Sequence, residues 1–251
     1  MFLSTIPING SLPVADIVKS DYRTAEVFLK YDIEFCCGGK WPLEMVCASK
    51  NLDITLLIPE LEKASRTIQV SNNLRFDEWS TGFLADYIVN VHHQYLRTSL
   101  PIVVEYVKKF LDGHLKKFPG LENLQSLANK LHDDFLAHVQ QEEEIFFPYI
   151  KQITHAHLHR EPYGSLLVRT LRKPLQDIAH QEHDLLYKIL SEMREITQQY
   201  TVPPNACVTH RVTFSKLKEL DNDLVQHMHL ENDILFPKAI QIEKELLRMA
   251  H

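Results

Sequence analysis

An eleven-residue pattern occurs twice in this chain and constrains the fold more than any bulk property. HVQQEEEIFFP runs from His138 to Pro148, and HMHLENDILFP runs from His227 to Pro237. Both read His-x-x-x-Glu-x-x-Ile-x-Phe-Pro, at an offset of 89 residues. Residues four apart share one face of an α-helix, with Cβ atoms about 5–6 Å apart. Each copy lies within a long amphipathic stripe. One stripe is Leu121, Leu124, Leu127, Leu131, Phe135, His138, Glu142, Ile145 and Tyr149; the other is Leu217, Leu220, Leu224, His227, Glu231 and Ile234. Steps of three and four are the signature of a buried helix face. Each repeat follows a further stripe that holds one histidine. These are Leu84, Ile88, His92, Tyr95 and Ala179, His183, Leu186, Leu190, Met193, with His92 and His183 offset by 91 residues. Four helical stretches follow, at roughly 79–112, 121–154, 165–199 and 208–247. Short breaks between helices favour antiparallel neighbours, so the expected packing is an up-and-down four-helix bundle with a pseudo-two-fold.

The residues interrupting the stripes carry the chemistry. A carboxylate on a core face is costly unless it is paired or binds a metal. His92, His138, Glu142, His183, His227 and Glu231 would together form a polar centre of four imidazoles and two carboxylates. A structural zinc takes four ligands, so six suit two metals better. The nitrogen and oxygen donors fit iron or manganese rather than a thiolate-selected metal. A lone histidine on an apolar face is usually a satisfied core residue; two His-x-x-x-Glu pairs in register with two more histidines are hard to reach by chance. Pro148 and Pro237 each follow their glutamate by six residues. They either end the helix or kink it around the site. His132 and His180 are candidates to orient the ligands. Asp134 and Glu182 are candidates for a polar access path. Glu143, Glu144 and Glu182 also read as solvated helix faces, and His155, His157 and His159 as a solvated loop.

Upstream, residues 1–63 read as a small helical domain and the polar stretch 64–78 as a linker; 79–251 are the bundle. The small domain holds KYDIEFCCGGKWPLE, with adjacent Cys36 and Cys37 on a glycine pair. The formal net charge of −6 argues against nucleic acid as a partner. No long apolar run predicts a membrane span, and the N-terminus has no signal-peptide pattern. Four cysteines in 251 residues are too few for a disulfide framework, so a reduced, cytoplasmic protein is expected.

The motifs YDIEFCCGG, HQEHD, VPPNAC and HLENDILFP together resemble those of the repair of iron centres family, the iron–sulfur cluster repair di-iron proteins with a hemerythrin-like bundle. The resemblance covers nearly the whole chain. It implies an all-α fold in which a small N-terminal Cys-Cys-Gly-Gly domain precedes the bundle. It implies two non-haem irons, carboxylate-bridged with an oxo or hydroxo bridge. Carried over residue by residue, the family's ligands fall on His92, His138, Glu142, His183, His227 and Glu231. The implied role is repair of iron–sulfur clusters damaged by oxidative or nitrosative stress, by iron donation or by nitric oxide chemistry. Its partners would be damaged cluster proteins, with nitric oxide or dioxygen as small ligands. Nitric oxide reductase-type turnover and a hemerythrin-like oxygen or nitric oxide carrier or sensor are the alternatives. The oligomeric state stays open, a homodimer among the options. Four readings of Cys36 and Cys37 also stay open: a vicinal disulfide, a reactive thiolate, a transit site for metal or nitrosyl, and turn packing.

Overall fold

The computed structural model describes residues 2–3, 7–36, 39–65, 67–68, 74–169 and 175–249, except for the side chains of 2–3, 67–68 and 176–182. Four short helices build the N-terminal unit: α1 (Val14–Ser20), α2 (Thr24–Lys30), α3 (Leu43–Ser49) and α4 (Ile54–Ala64). Pro13 and Pro42 stand just before α1 and α3. A helix start is where a missing N–H costs nothing, because the first amides have no partner within the helix. Asp53 caps α4 by accepting from the Thr55 amide.

The core of this unit continues into the bundle. Val14, Ile17, Phe28, Phe35 and Leu61 share one buried cluster with Tyr106, Val208 and Val212. Tyr22 donates to Glu219 at 2.8 Å, and Lys216 forms an ion pair with Glu26. The stretch between the two units is tied at both ends. Within it β2 (Thr67–Ile68) pairs antiparallel with β1 (Phe2–Leu3), and the Phe76 ring packs 4.7 Å from Trp79. The two-residue pairing is the only sheet among the described residues.

The bundle begins with α5 (Thr81–Tyr87) and α6 (Gln94–His114), joined without interruption by a π-helical turn at Ile88–His93. Next, α7 (Leu124–Gln141) and α8 (Phe147–Leu158) are joined by a π-turn at Glu142–Phe146. A short α9 (Gly164–Val168) then leads to α10 (Leu175–Ile196). Finally α11 (Val208–His229) and α12 (Phe236–Arg248) are joined by a π-turn at Leu230–Leu235. After α10 the chain reverses through Gln198, Gln199 and Tyr200, all in the left-handed region. Such residues cost on the order of 1–3 kcal/mol each. The anchor is Asp221, which accepts from the Tyr200 hydroxyl at 2.6 Å and from Arg194.

The three π-turns explain where the sequence periodicity slips. Each inserts one residue into the 3.6-residue repeat. Ile145, expected in the core, is 48% exposed while Phe146 is 4% exposed. Beyond the third π-turn it is Leu235, not Ile234, that is fully buried. The prolines follow directly: Pro148 and Pro237 sit in the first turn of α8 and α12, which continue for 12 and 13 residues. Neither proline ends its helix; each occupies a point where the regular hydrogen-bond ladder is already interrupted. Helix α8 also extends through His155 and His157, so these two are helical rather than in a loop, and His157 pairs with Glu245 at 2.7 Å.

Two apolar clusters fill the bundle. One includes Leu96, Val139 and Met228; the other includes Ile88, Phe146 and Leu235. On each of these helices the polar centre falls between the two clusters.

Candidate metal centre

The repeat's i, i+4 spacing brings each histidine to its own glutamate. His138 Nε2 lies 3.1 Å from Glu142 Oε1, and His227 Nε2 lies 3.3 Å from Glu231 Oε1. The other two helices add one imidazole each. His183 Nε2 is 3.2 Å from Glu231 Oε2, and His93 Nε2 is 3.4 Å from Glu142 Oε2. All six residues are buried, His138 being the most accessible at 6%. They form two groups, His93–Glu142–His227–Glu231 and His138–Glu142–His183–Glu231. Within each group the ligand atoms lie within 4.8 Å of one another, and both glutamates belong to both groups.

Here the structure corrects the sequence assignment of the first helix. His93, not His92, enters the cluster. The stripe Leu84, Ile88, His92 assumes a four-residue step, but the π-turn from Ile88 to His93 makes it five. Leu96 and Leu100 then resume ordinary spacing in the core. His92 is buried too, but its Nδ1 lies 3.1 Å from Asp223 and its ring centroid 6.3 Å from that of His227. It belongs to neither four-residue group.

The imidazoles are oriented for lone-pair donation. His93 Nε2 faces His227 Nε2 at 3.0 Å, and His183 Nε2 faces His138 Nε2 at 3.1 Å. At most one proton fits between two such nitrogens. On the far side, His93 Nδ1 donates to Glu143 Oε1 at 2.7 Å, and Arg97 braces that carboxylate at 3.0 Å. His183 Nδ1 donates to Asn232 Oδ1 at 2.8 Å. An acceptor at Nδ1 fixes the proton there and leaves Nε2 as the donor atom. Glu143 and Asn232 occupy the same position of the eleven-residue repeat, each directly after its core glutamate. The internal repeat therefore supplies both the carboxylate and the partner that orients a neighbouring helix's histidine. Glu143, which reads from sequence as part of a solvated face, thus faces His93, and Asn232 carries no sequence signal of its own beyond its place in the repeat.

The electrostatics favour a bound cation. None of the four oxygens of Glu142 and Glu231 has an aligned hydrogen-bond donor, although all are buried. Their contacts with the imidazoles are ionic approaches at 3.1–3.9 Å. Burial pushes Glu142 up, but His138, His227 and His93 outweigh it and hold the carboxyl well below the usual range. Burial and Glu142 both raise Glu231, while His227 and His183 bring it below its ordinary value. Burial pushes His227 down, yet Glu231 and Glu142 lift it to about 9. Two carboxylates held this way, with no aligned donors, are a donor set of histidine and carboxylate type that could hold a metal ion.

A pH dependence follows for protein stripped of metal by a chelator. His227 titrates near 6.5 when unfolded and near 9 when folded. Its stabilisation is thus complete below pH 6.5 and is lost as pH rises through about 9. The loss is on the order of 3 kcal/mol. Urea unfolding of the stripped protein at pH 6 and pH 9.5 reads it directly. The His227→Gln variant should lose most of this dependence.

Residues 84–239 match the hemerythrin HHE cation binding domain, and residues 11–65 match ScdA_N, described as a domain of unknown function. The chain is also 31% identical over 232 residues to the iron-sulfur cluster repair protein YtfE of Escherichia coli O81, covering 91% of this chain and 96% of that protein. The YtfE proteins of Escherichia coli O1:K1 and Escherichia fergusonii match to the same extent. The chain belongs to the hemerythrin family of iron–sulfur cluster repair proteins.

The hemerythrin match begins at Leu84 and ends at Ala239, so it takes in all six clustered residues and the three π-turns. Among the described residues, the remaining sequence candidates belong to neither four-residue group. His132 points its Nδ1 at Asp133 at 2.9 Å. Glu144 is exposed and accepts from Gln140. His180 and Glu182 lie outside the described side chains. In the ScdA_N domain Cys36 is partly buried, while Cys37 lies outside the described residues. Among the described residues no helix is long and apolar enough to cross a membrane.

Proposed function

We propose that this chain is a non-haem di-iron protein that repairs iron–sulfur clusters damaged by oxidative or nitrosative stress in the cytoplasm. The observation that carries the reading is that two four-residue His/Glu groups share both of their glutamates. A shared carboxylate offers one oxygen to each of two cations. Each position would then draw two imidazole nitrogens and two carboxylate oxygens from the chain. That leaves room for a small oxo or hydroxo bridge and for an open position. When bound, ferrous iron supplies affinity for nitric oxide or dioxygen and a reservoir of transferable metal. The chain's own part is to hold the ligands in one tautomer, through Glu143 and Asn232, and to keep bulk water away with the apolar clusters on either side. The name of the relatives, iron-sulfur cluster repair protein, supports the role.

Iron donation is the favoured route. Only two carboxylates face two divalent cations, so the donor set leaves excess positive charge. Such a site should release metal more readily than a carboxylate-rich one. The test adds iron-loaded protein to a peroxide-damaged [4Fe–4S] dehydratase. Recovery of dehydratase activity should match iron lost from the bundle, and recovery without that iron loss would refute donation.

The outer partners carry their own prediction. Glu143→Ala should lower iron affinity at the His93 side by roughly 10–100-fold, the usual cost of losing such a partner. Asn232→Ala should do the same at the His183 side, by less, because a neutral amide polarises imidazole less than a carboxylate does. Competition with a coloured ferrous chelator measures both.

A carrier or sensor role is the second reading. His92 favours it, because its buried Nε2 has no hydrogen-bond partner and lies near the cluster. Reversible dioxygen binding without oxidation of the iron would support the carrier, and rapid autoxidation would count against it.

A further inference from the structure

The far end of the bundle holds a second reactive cluster, independent of the His/Glu centre. His114 is 21 residues beyond His93 on the same helical run. At 1.5 Å per residue the two are about 30 Å apart. Cys207 stands at the start of α11, where its Sγ accepts from the His210 amide at 3.4 Å. The same sulfur lies 3.2 Å from His114 Nε2. His114 Nδ1 is 2.9 Å from the Phe110 carbonyl, which can only accept. The proton therefore sits on Nδ1, and Nε2 takes a hydrogen bond from the Cys207 thiol. The third neighbour of that thiol is Cys36 of the N-terminal unit, which is close enough to help raise its pKa. The chain neighbours Phe35 and Val208 are buried in one apolar cluster that spans the two units. Both thiols are partly accessible, whereas Cys47 is buried.

We propose that Cys36 and Cys207 form a redox-active dithiol, with His114 as its base, which small disulfides such as oxidised glutathione convert into a covalent tie between the N-terminal unit and the bundle. Burial pushes the Cys207 thiol up, and Cys36 adds to the shift. At rest Cys207 is protonated, so it needs a base at the moment it reacts. Cys36, once it has lost its proton, attacks one sulfur of glutathione disulfide; that disulfide bond breaks and one glutathione thiolate leaves with the electron pair. Cys207 then passes its proton to His114 Nε2 and attacks the Cys36 sulfur. The bond between Cys36 and glutathione breaks, and the second glutathione thiolate leaves. The protons released by Cys36 and by the His114 imidazolium convert both thiolates to thiols. In sum, two protein thiols are oxidised to one disulfide, and one glutathione disulfide is reduced to two glutathiones. This pairing differs from the vicinal Cys36–Cys37 disulfide, because it joins residues 171 positions apart.

The experiment uses the full-length, metal-loaded protein in glutathione redox buffers, with acid quenching, alkylation and non-reducing peptide mapping. The expected product is a Cys36–Cys207 cross-linked peptide, with Cys47 alkylated throughout. Cys207→Ser should stop at a stable mixed disulfide between Cys36 and glutathione. His114→Gln should form that mixed disulfide at the native rate but close the protein disulfide at least about tenfold more slowly at pH 7. The gap should narrow at alkaline pH, where Cys207 ionises without a base. If oxidised native protein carries only a Cys36–Cys37 bond or glutathione adducts, with Cys207 still alkylated, the proposal is overturned. Equal closure rates in the native protein and the folded His114→Gln variant would remove His114 from it.

Discussion

Alanine at either Glu142 or Glu231 is expected to empty both metal positions, not one. In a centre built from two separate sites, each glutamate would serve its own metal, and each variant would keep about one iron per chain. Here both carboxylates belong to both four-residue groups. Deleting one takes an oxygen from each position at once and leaves a single carboxylate to offset both cations. Iron content should fall from about two per chain to near zero in both variants, with helical circular dichroism preserved. The fold should survive because each glutamate is flanked along its helix by Val139 and Phe146, or by Met228 and Leu235, all 4% exposed or less. Relieving two buried carboxylates of mutual repulsion also offsets part of the packing lost. Retention of one iron per chain in either variant would show that the carboxylates do not bridge.

His93→Ala should abolish metal binding at one position, while His92→Ala should leave it unchanged. Both side chains are almost fully buried, so burial does not separate them. Geometry does. His93 turns its Nε2 to His227 at 3.0 Å and its Nδ1 to Glu143, whereas His92 turns its Nδ1 to Asp223. The loss of affinity in His93→Ala should exceed the roughly 10–100-fold that an outer partner costs. His92→Ala should cost only the ordinary 0.5–3 kcal/mol of a truncated buried side chain. Ferrous titration of both variants, read by competing chelator, decides between the two registers. Loss of metal in His92→Ala with retention in His93→Ala would return the assignment to the four-residue step.

These two variants also mark where the sequence was legible and where it was not. The repeat beginning at His138 and His227 exposes four of the six clustered residues, because i, i+4 spacing is a local property that survives any later change of phase. His183 follows from a regular stripe whose helix shows no π-turn among its described residues. The register of the first helix could not be read this way. A π-turn leaves no composition signature comparable to proline or glycine, and VHHQ offers a histidine in either phase. The same blindness placed Ile145 and Ile234 in the core where Phe146 and Leu235 belong. Glu143 and Asn232 were hidden for a related reason: an ordinary helix would turn the residue after a core glutamate toward solvent. Their matching positions in the repeat were the available clue. The approach of Cys36 to Cys207 depends on how the N-terminal unit packs against α11, a contact between residues 171 positions apart that no local pattern encodes.

The proposed two-metal centre rests on six buried residues of this chain. Its most direct test is anaerobic ferrous titration of chelator-stripped native protein, followed by oxidation and Mössbauer spectroscopy. Saturation at two irons per chain is expected, with a magnetically coupled ferric pair. Saturation at one iron, or two uncoupled ferric sites, would contradict it.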